Sequence, residues 1–375
     1  MICAVSEGPH LHDVSAVVHV HSTYSDGSAT VPELLEAAAD AGADALLLSD
    51  HDTLAARRDG WEGGHGGVFL HVGEEVSPKG GHYLAFGARG EIAHAGRGPA
   101  EIAAAVRAAG GIGFAAHPFS RGGRMLVPAI AARITPPHGW PALQKPGGLD
   151  GLELWSLTTD AAEGWRTPAE ALRWLRDPER AVAAGPPARH LRAWDRLSSS
   201  RRVPAIGGLD GHQPGVRLRG RVRSPLSHRR TFGLLRTHLL CERPLGAGTA
   251  ADRRTILAAL ADGAAWLSCP CVAPAEGARM WAETEAGERV PLGGRAAPGR
   301  ALLRVDLPHP AQVRVLHDGR EIHRSEGERI ALEIAAAGAY RVEARIAGRL
   351  WLLSNPVHLH PSVSPAADFR HTRLG

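Results

Sequence analysis

The feature that most constrains this chain is an alternation of short apolar strands and Ala/Leu-rich helices over its first 270 residues. A strand at Val14–Val20 is followed by a helix at Val31–Ala41, with Thr30 in the N-cap position. Gly42 ends that helix before the apolar strand Ala45–Leu48. Strands that alternate with helices predict βαβ units and a mostly parallel sheet.

The same alternation continues along the chain. Five or more such units predict a closed or nearly closed barrel rather than an open sheet. Further strands are expected at Val68–Val72, Tyr83–Phe86, Ile112–Ala116, Leu152–Trp155 and Val203–Gly207, and helices at Pro99–Ala109, 188–199 and Thr255–Ala261.

The character of the sequence changes after about residue 272. Residues 275–300 are rich in Gly, Pro and Glu, and Asp318-Gly319 has the composition of a tight hairpin turn. We therefore expect a barrel domain at 1–272, a small antiparallel β-sandwich at 273–362 and a frayed tail at 363–375. The sandwich strands are expected at Ala301–Asp306, Gln312–Leu316, Arg329–Ile334, Ala339–Ile346 and Leu350–Leu353.

Composition excludes several classes of protein. The 375 residues are 44% hydrophobic and 22% charged, which is ordinary for a globular protein and excludes wholesale disorder. The net charge of +4 is too small to indicate nucleic-acid binding by itself. No apolar run approaches the ~20 residues of a membrane span, and residues 1–13 do not resemble a signal peptide.

Four cysteines are too few for a disulfide scaffold, so we expect a reducing, cytoplasmic location. Cys269 and Cys271 form an isolated CxC, which is better explained by two small core residues than by a metal site.

Histidine is the unusual residue, with 21 copies. His19 and His21 end the first strand, where side chains two apart face the same side. Nearly every predicted strand ends in His, Asp or Glu, and in a βα barrel those ends converge on one face. We therefore expect nine residues to meet in one cleft: His19, His21, Asp26, His51, Glu75, His82, His117, Asp210 and His212.

Six imidazoles and three carboxylates suit Zn, Mn or Fe. Nine ligands are too many for one tetrahedral ion and suit two or three ions that share bridging carboxylates. A single buried histidine is more often a hydrogen-bonded structural group, so the signal lies in the ordered set. Six other histidines lack this context and are expected at the surface: His10, His12, His65, His71, His94 and His138.

The segments that carry these residues resemble the motifs of the PHP (polymerase and histidinol phosphatase) family. They are His19-Val20-His21-Ser22-Thr23-Tyr24-Ser25-Asp26-Gly27, Ser49-Asp50-His51-Asp52-Thr53, Glu75 in Gly-Glu-Glu-Val-Ser, Ala116-His117-Pro118 and Asp210-Gly211-His212. The resemblance covers about residues 14–270 and implies a distorted seven-stranded βα barrel with a trinuclear metal centre. A looser resemblance, in the segment Trp351–Pro356, relates the sandwich to the C-terminal module of carbamate-insecticide hydrolases.

Carried over position by position, the resemblance implies three metal sites. The first would be held by His19, His21, Glu75 and Asp210, the second by Glu75, His82 and His117 with Glu75 bridging, and the third by Asp26, His51 and His212.

The charge of such a centre favours an anionic substrate. Three divalent ions carry about +6 and three carboxylates return about −3, so a phosphate oxygen pair would neutralise the excess. We therefore expect a metal-dependent phosphoesterase that hydrolyses a small phosphate ester or nucleotide with a metal-bridging hydroxide. Asp50 or Asp52 would orient His51 or accept a proton, unless they cap the next helix. Arg121 and Arg124 would grip phosphate, unless their loop is simply solvated.

Two alternatives stay open. The same metal hydroxide would serve a carbamate, ester or amide hydrolase, which the resemblance of the sandwich favours. A non-catalytic nucleic-acid-binding or structural PHP module is the alternative of another class, and the six arginines between Arg217 and Arg230 support it. The apparently complete ligand set argues against that class. A small-molecule substrate and no membrane partner are expected, and the sequence leaves the oligomeric state open.

Overall fold

The structure is a computed structural model and describes residues 11–124, 137–145 and 147–360. The strands in these residues are β1 (His12–Val20), β2 (Ala45–His51), β3 (Gly63–His65), β4 (Val68–Val76), β5 (His82–Phe86), β6 (Ile112–Ala116), β7 (Gly151–Ser156), β8 (Ala205–Gly208), β9 (Val216–Leu218), β10 (Arg221–Arg223), β11 (Arg236–Cys241), β12 (Ala265–Ser268), β13 (Arg279–Thr284), β14 (Arg289–Pro291), β15 (Arg295–Ala296), β16 (Ala301–His317), β17 (Arg320–Ile334), β18 (Gly338–Ile346), β19 (Arg349–Ser354) and β20 (Val357–Leu359).

The helices lie mainly between the strands of the N-terminal part. They are α1 (Val31–Asp40), α2 (Ala55–Arg58), α3 (Pro99–Ala108), α4 (Leu157–Gly164), α5 (Pro168–Arg176), α6 (Pro178–Val182), α7 (Ala188–Ser198), α8 (His228–Thr231) and α9 (Thr249–Asp262). This mixed α/β arrangement followed by a strand-rich part agrees with the expected fold class.

The N-terminal sheet is mixed, rather than mostly parallel as the sequence predicted. Strand β1 pairs with β2, β2 with β4, β6 with β7 and β7 with β8 in parallel, whereas β5 lies antiparallel to both β4 and β6. Beyond β8, the amide of Leu209 donates to the carbonyl of Val18 at 2.9 Å, and that of His21 donates to Gly211 at 3.0 Å. These bonds bring the end of β8 back beside β1. The number of strands in a barrel stays a prediction.

Local sequence explains these elements. In α1 the side chain of Glu33 accepts from the Thr30 amide at 2.8 Å, which completes a capping box, and Leu34 and Ala38 are fully buried on the inner face. Strand β4 is buried along its whole length. Strands covered on both faces read as continuous apolar runs, which is the pattern of a parallel α/β sheet.

Strand β11 was not expected from the sequence. It pairs antiparallel with β1 on one side and with β12 on the other, and β12 in turn pairs with β19 through Trp266 and Ser354. Backbone pairing therefore runs without a break from the N-terminal sheet into the C-terminal strands. The domain boundary at residue 272 stays a prediction.

The C-terminal part is mostly antiparallel, as expected, although β15 and β20 pair in parallel. Two predicted strands, Ala301–Asp306 and Gln312–Leu316, form the single strand β16, whose register shifts between Asp306 and Ala311. Asp318 and Gly319 both have positive φ, 48° and 78°, as a two-residue hairpin turn requires. The hairpin between β16 and β17 is thus confirmed. The expected tail, 363–375, lies outside the described residues.

Two side-chain contacts join the parts. The guanidinium of Arg341 donates to both oxygens of Asp195, at 2.6 and 3.0 Å, and both residues are buried. Asn355 accepts from the amide of Ala205 and donates to the carbonyls of Ala205 and Ala265, at 2.8, 2.8 and 3.1 Å. Each contact joins the N-terminal part of the chain to the C-terminal strands.

Two further expectations bear on composition. Cys269 is buried at the end of β12, as a core residue should be. Over the described ranges, none of the helices has the length and apolar character needed to cross a membrane.

Candidate metal centre

The nine expected ligands converge on the C-terminal edge of the sheet. His19 and His21 stand at the end of β1, His51 ends β2, Glu75 lies near the end of β4 and His82 begins β5. The remaining ligands follow strand ends, namely Asp26 after β1, His117 after β6, and Asp210 and His212 after β8. The structure gathers eight of them into three overlapping groups with metal-ligand spacing, and the ninth, His117, contacts a member of two of these groups.

The first group has four donor atoms. The Nε2 atom of His19 lies 3.3 Å from Glu75 Oε2 and 3.6 Å from Asp210 Oδ1, and His21 Nε2 lies 3.4 and 3.7 Å from the same oxygens. These separations exceed the ~2.9 Å of a good hydrogen bond. A tetrahedral ion with ligands at about 2.1 Å keeps them about 3.4 Å apart. The spacing therefore fits four ligands of one ion.

The second group uses the other oxygen of the same carboxylate. Glu75 Oε1 lies 3.1 Å from His82 Nδ1 and 3.1 Å from His117 Nε2. Because Glu75 is fully buried and its two oxygens face different imidazoles, it has the geometry of a bridging ligand.

The third group surrounds Asp26. Its Oδ1 atom lies 3.2 Å from His212 Nε2, 3.6 Å from His51 Nε2 and 3.9 Å from His21 Nδ1. The Asp26 side chain is 59% exposed, so this group faces the mouth of the cleft while the first group lies beneath it.

Hydrogen bonds fix which nitrogen of two histidines faces the cleft. His19 Nδ1 is bonded to Glu153 Oε1 at 2.8 Å, so it carries the proton and leaves Nε2 to accept a cation. His212 Nδ1 donates to the carbonyl of Asp210 at 3.1 Å and leaves its Nε2 toward Asp26. In both rings Nε2 is therefore the nitrogen available to the proposed ions.

His51 belongs by distance to two groups, since its Nδ1 is also 3.3 Å from Glu75 Oε2. The hydroxyl of Ser77 decides between them. It donates to the carbonyl of Glu75 at 2.8 Å and thus accepts from His51 Nδ1 at 2.7 Å. Only His51 Nε2 is left for a metal, which assigns this residue to the Asp26 group and leaves His117 to complete the second group.

Several buried polar atoms here have no hydrogen-bond partner in the described part of the chain. They include His19 Nε2, both ring nitrogens of His21 and Glu75 Oε2. Buried polar atoms are nearly always paired, so such a cluster calls for a bound species. Imidazole nitrogens and carboxylate oxygens are the donors that Zn, Mn and Fe accept, and these residues fit divalent cations.

The carboxylates of the cleft are ionised at neutral pH. Burial opposes ionisation, but His19 and His82 hold the pKa of Glu75 well below its usual range. Burial also opposes ionisation of Asp26, and its bond to His212 nevertheless lowers the pKa of Asp26 to about 2. The same carboxylates favour a positive charge at the imidazole nitrogens, whether that charge is a proton or a metal ion.

Glu153, in β7, contacts two of the expected ligands although it belongs to none of the motifs. It is fully buried, and besides His19 it accepts the backbone amide of His117 at 2.7 Å. Gly208 makes room for it, since a Cβ there would lie 2.0 Å from Glu153 Oε1. One carboxylate thus orients ligands of both the first and the second group. The only sequence signal was its place near the end of a barrel strand.

Asp50 and Asp52 lie beside the cleft and order its loops. Asp50 accepts from the amide of Ser22 at 2.7 Å, from its hydroxyl at 2.7 Å and from Ser25 Oγ at 2.6 Å. Asp52 accepts from the amide of Ser77 at 2.9 Å. These contacts make Asp50 the scaffold of the loop between His21 and Asp26. A catalytic role for either carboxylate stays a prediction.

The two expected phosphate-binding arginines follow β6. Arg121 and Arg124 are exposed, and the amide of Arg121 is held by Glu163 at 2.8 Å. Phosphate binding by these two arginines stays a prediction. Of the six arginines between Arg217 and Arg230, the first four lie in the hairpin of β9 and β10 and the last two in α8. Arg217 forms an ion pair with Glu33 at 3.0 Å.

Two histidines expected at the surface lie elsewhere. The ring of His138 is centred 4.2 Å from that of His82 and 5.6 Å from that of His117, and its Nδ1 is buried. It therefore stands next to the second group, which no sequence spacing suggested. His71 is fully buried away from the centre and pairs with Glu62 at 2.8 Å.

No protein-family model matches the chain, and no curated protein matches it. Solved structures do resemble it. A two-domain protein containing a predicted PHP-like metal-dependent phosphoesterase from Bacteroides vulgatus ATCC 8482 is 15% identical with a TM-score of 0.40, over 93% of this chain and 97% of that one.

Two other solved structures cover about half of the chain. A putative metal-dependent phosphoesterase from Bifidobacterium adolescentis ATCC 15703 is 19% identical with a TM-score of 0.29, over 55% of this chain and 89% of that one. An amidohydrolase from Chromobacterium violaceum, with bound sulfate and no metal, is 14% identical with a TM-score of 0.30, over 53% and 88%. These three structural neighbours are PHP-like metal-dependent phosphoesterases and an amidohydrolase, at low sequence identity.

Proposed function

We propose that the chain is a metal-dependent phosphoesterase that hydrolyses a small phosphate ester or nucleotide at a trinuclear centre. The observation that carries the proposal is the position of Glu75. Its two oxygens face separate pairs of imidazoles, so one buried carboxylate joins two sites. The Asp26 group, bound to the first through His21, supplies the third site.

Charge favours a phosphate substrate. Three divalent ions would bring about +6 against about −3 from Asp26, Glu75 and Asp210, and the two oxygens of a phosphate dianion suit that excess. When bound, the ions supply an acidified water and the positive charge that stabilises attack on phosphorus.

The residues of the chain position these parts. Glu153 keeps His19 in one tautomer, Ser77 does so for His51, and Asp50 holds the loop that carries Asp26. His138, beside His82, is placed to donate a hydrogen bond to a substrate oxygen. Burial and the neighbouring His82 lower the pKa of His138 to about 4, so that its ring is neutral at pH 7 and keeps one N–H donor.

The test is phosphate release from a panel of phosphomonoesters and nucleotides by protein stripped with a chelator and reloaded with Zn, Mn or Fe(II). Carbamate and carboxylic ester substrates form a parallel arm. We expect metal-dependent phosphate release and a loss of at least about a hundredfold in Glu75→Gln, since removal of supporting residues alone costs 10–100-fold.

Glu74→Gln is the matched control. Glu74 is the buried neighbour of Glu75 on the same strand, but its carboxylate accepts the amide of Ile92 at 2.7 Å on the opposite face of the sheet. Its replacement should leave turnover within a few-fold. Hydrolysis of carbamates or esters without phosphate release would overturn the phosphoester assignment. Salt-dependent DNA binding without turnover would indicate the non-catalytic module.

A further inference from the structure

A second cavity lies behind helix α4, away from the metal centre. Its volume is about 710 Å³, within the range of small-molecule sites. Helix α4 separates the two. Thr159 and Glu163 face the centre side, where Thr159 is bonded to Asp210 and Glu163 to Ser120. The opposite face of α4 lines the cavity with Leu157, Asp160, Ala161 and Gly164.

Tryptophan forms the walls of this cavity. Trp155, Trp165 and Trp174 all line it, and the rings of Trp165 and Trp174 meet at 61° with centroids 5.7 Å apart. Two indole faces set at a steep angle form adjacent sides of a cage. Aromatic faces of this kind attract cations through their quadrupole, and tryptophan does so most strongly.

A buried carboxylate completes the cage. The Asp160 side chain is only 9% exposed, and no arginine or lysine of the described residues lies within ion-pair distance of it. Its recorded contacts are the amide of Ser156 at 3.3 Å and His190 Nδ1 at 3.6 Å. Burial and the nearby Glu153 and Glu163 raise the pKa of Asp160 well above its usual range, although Arg189 acts in the opposite direction. The carboxyl therefore favours its protonated form, and a cation in the cavity would favour the ionised carboxylate by lowering that pKa.

Other charges of the lining lie at the rim and nearly cancel. Arg173 and Arg180 are exposed, as is Asp177, and Glu170 is partly exposed. Two positive and two negative groups near solvent are screened and contribute little. Asp160 is therefore the ionisable group of this lining that lies in the interior of the cavity.

We propose that this tryptophan cavity binds an organic ammonium ion, with Asp160 as its counter-charge and Trp155, Trp165 and Trp174 as its walls. The ligand class is a substituted ammonium group on a compact apolar body. Helix α5 forms the outer wall with Trp174 and has no buried residue, so the ligand can enter without disturbing the core.

The test compares choline with 3,3-dimethylbutan-1-ol, which has the same shape with carbon in place of the charged nitrogen. Binding is measured by calorimetry and by tryptophan fluorescence on the full chain. We expect choline to bind saturably, and at least about tenfold more tightly than the neutral alcohol, as desolvated cation–π contact requires. Failure of choline to bind, or equal binding of both compounds, would overturn the proposal.

Variants locate the site. Asp160→Asn should weaken choline binding about tenfold, and Trp174→Leu about fivefold, on the scale of one cation–π contact. Asp177→Asn is the matched control, because Asp177 lines the same cavity at its exposed rim, and it should bind choline like the parent. Trp174 is partly exposed, so Trp174→Leu serves even if Asp160→Asn fails to fold. Unchanged choline binding in Trp174→Leu would count against the cage, and phosphatase activity is not needed for any arm.

Discussion

At the level of single residues, three of the expected metal ligands adopt backbone conformations that residues other than glycine rarely take. The φ angles of His19, His117 and Asp210 are 63°, 29° and 50°. Each such residue costs about 1–3 kcal/mol and persists only where the surrounding fold fixes it. Here the strain lies at three strand ends and coincides with a register shift in β1 between Val18 and Val20. The backbone strain thus lowers the stability of the fold at the positions where these side chains converge on one cleft.

Because Glu153 supports two of these ligands, its replacement tests the centre. Glu153→Gln keeps the volume but turns one of the two acceptor oxygens into a donor. The variant then cannot accept both from His19 and from the amide of His117. We expect metal affinity to fall about 10–100-fold, the usual effect of losing a ligand-orienting group. The measurement is competition against a chelator of known affinity.

Glu62→Gln is the control for that experiment. Glu62 also forms a buried carboxylate–histidine pair, with His71 at 2.8 Å, but far from the cleft in the fold. The Glu62→Gln substitution should lower the free energy of unfolding without changing the metal affinity. Equal metal affinity in Glu153→Gln and the parent would show that Glu153 is merely structural.

At the scale of elements, most strands of the N-terminal half were predictable from the sequence, but their ends and their pairings were not, since β2 and β4 extend to His51 and Val76. Local patterns placed His51 and Glu75 after apolar runs, because side-chain burial in a strand shows in its own sequence. The antiparallel strand β11 was not predicted from the sequence. Its Arg236 and His238 are buried against partners distant in sequence, the carbonyl of Ala41 and the carboxylate of Asp13. Buried polar residues that are satisfied by tertiary contacts interrupt the apolar pattern from which a strand is predicted.

The candidate site shows the same division. Its ligands follow strands in short motifs, so their convergence followed from the topology of parallel sheets. Glu153 and His138 belong to no motif, and they reach the centre only through the packing of β7 and of the segment that carries residue 138. Long-range packing of this kind leaves no periodic trace in the sequence.

The turn between β18 and β19 offers a prediction at this scale. Ala347 is exposed and has φ of 48°, a left-handed conformation in which its Cβ is strained, and Gly348 follows with φ of 76°. Asparagine tolerates this conformation, and Asn-Gly is the preferred pair for such a hairpin. Ala347→Asn should therefore stabilise the protein by about 1 kcal/mol. The measurement is the urea midpoint, and an unchanged or lower midpoint would contradict the expected strain.

At the scale of the whole molecule, buried neutral histidines make stability depend on pH. His358 on β20 is buried, and burial with the nearby His360 and Arg295 lowers its pKa to about 3 from 6.5. The unfolded chain binds a proton at this residue below pH 6.5, whereas the folded chain does not until about pH 3. The contribution of His358 to the free energy of unfolding is therefore complete above pH 6.5 and is lost as the pH falls toward 3.

We therefore expect the free energy of unfolding to fall between pH 6.5 and 4, with His358 contributing at most about 1.4 kcal/mol per pH unit. His358→Leu should flatten this dependence even if it shifts stability at pH 7. The measurement is urea unfolding of metal-stripped protein at several pH values. An equally steep slope in the variant would assign the acid sensitivity to other groups.

The two parts of the chain should unfold as one unit. Strand pairing between β12 and β19, the three bonds of Asn355 and the buried Arg341–Asp195 pair all cross between them. Breaking a buried ion pair leaves an uncompensated charge and costs about 3–5 kcal/mol. Arg341→Leu should therefore lower the stability of the whole molecule by that amount while calorimetry of the metal-stripped chain still shows a single transition.

Arg324→Leu is the comparison, because Arg324 forms an ion pair with Glu321 at 2.8 Å on the exposed face of the C-terminal sheet. Surface pairs contribute little, so this variant should unfold almost like the parent. If Arg341→Leu instead split the transition into two, the C-terminal strands would be an attached module. A single transition at lower temperature would show that the C-terminal strands belong to the same cooperative unit as the strands that carry the expected metal ligands. A substitution at the junction would then affect the metal centre only by lowering the stability of the whole molecule.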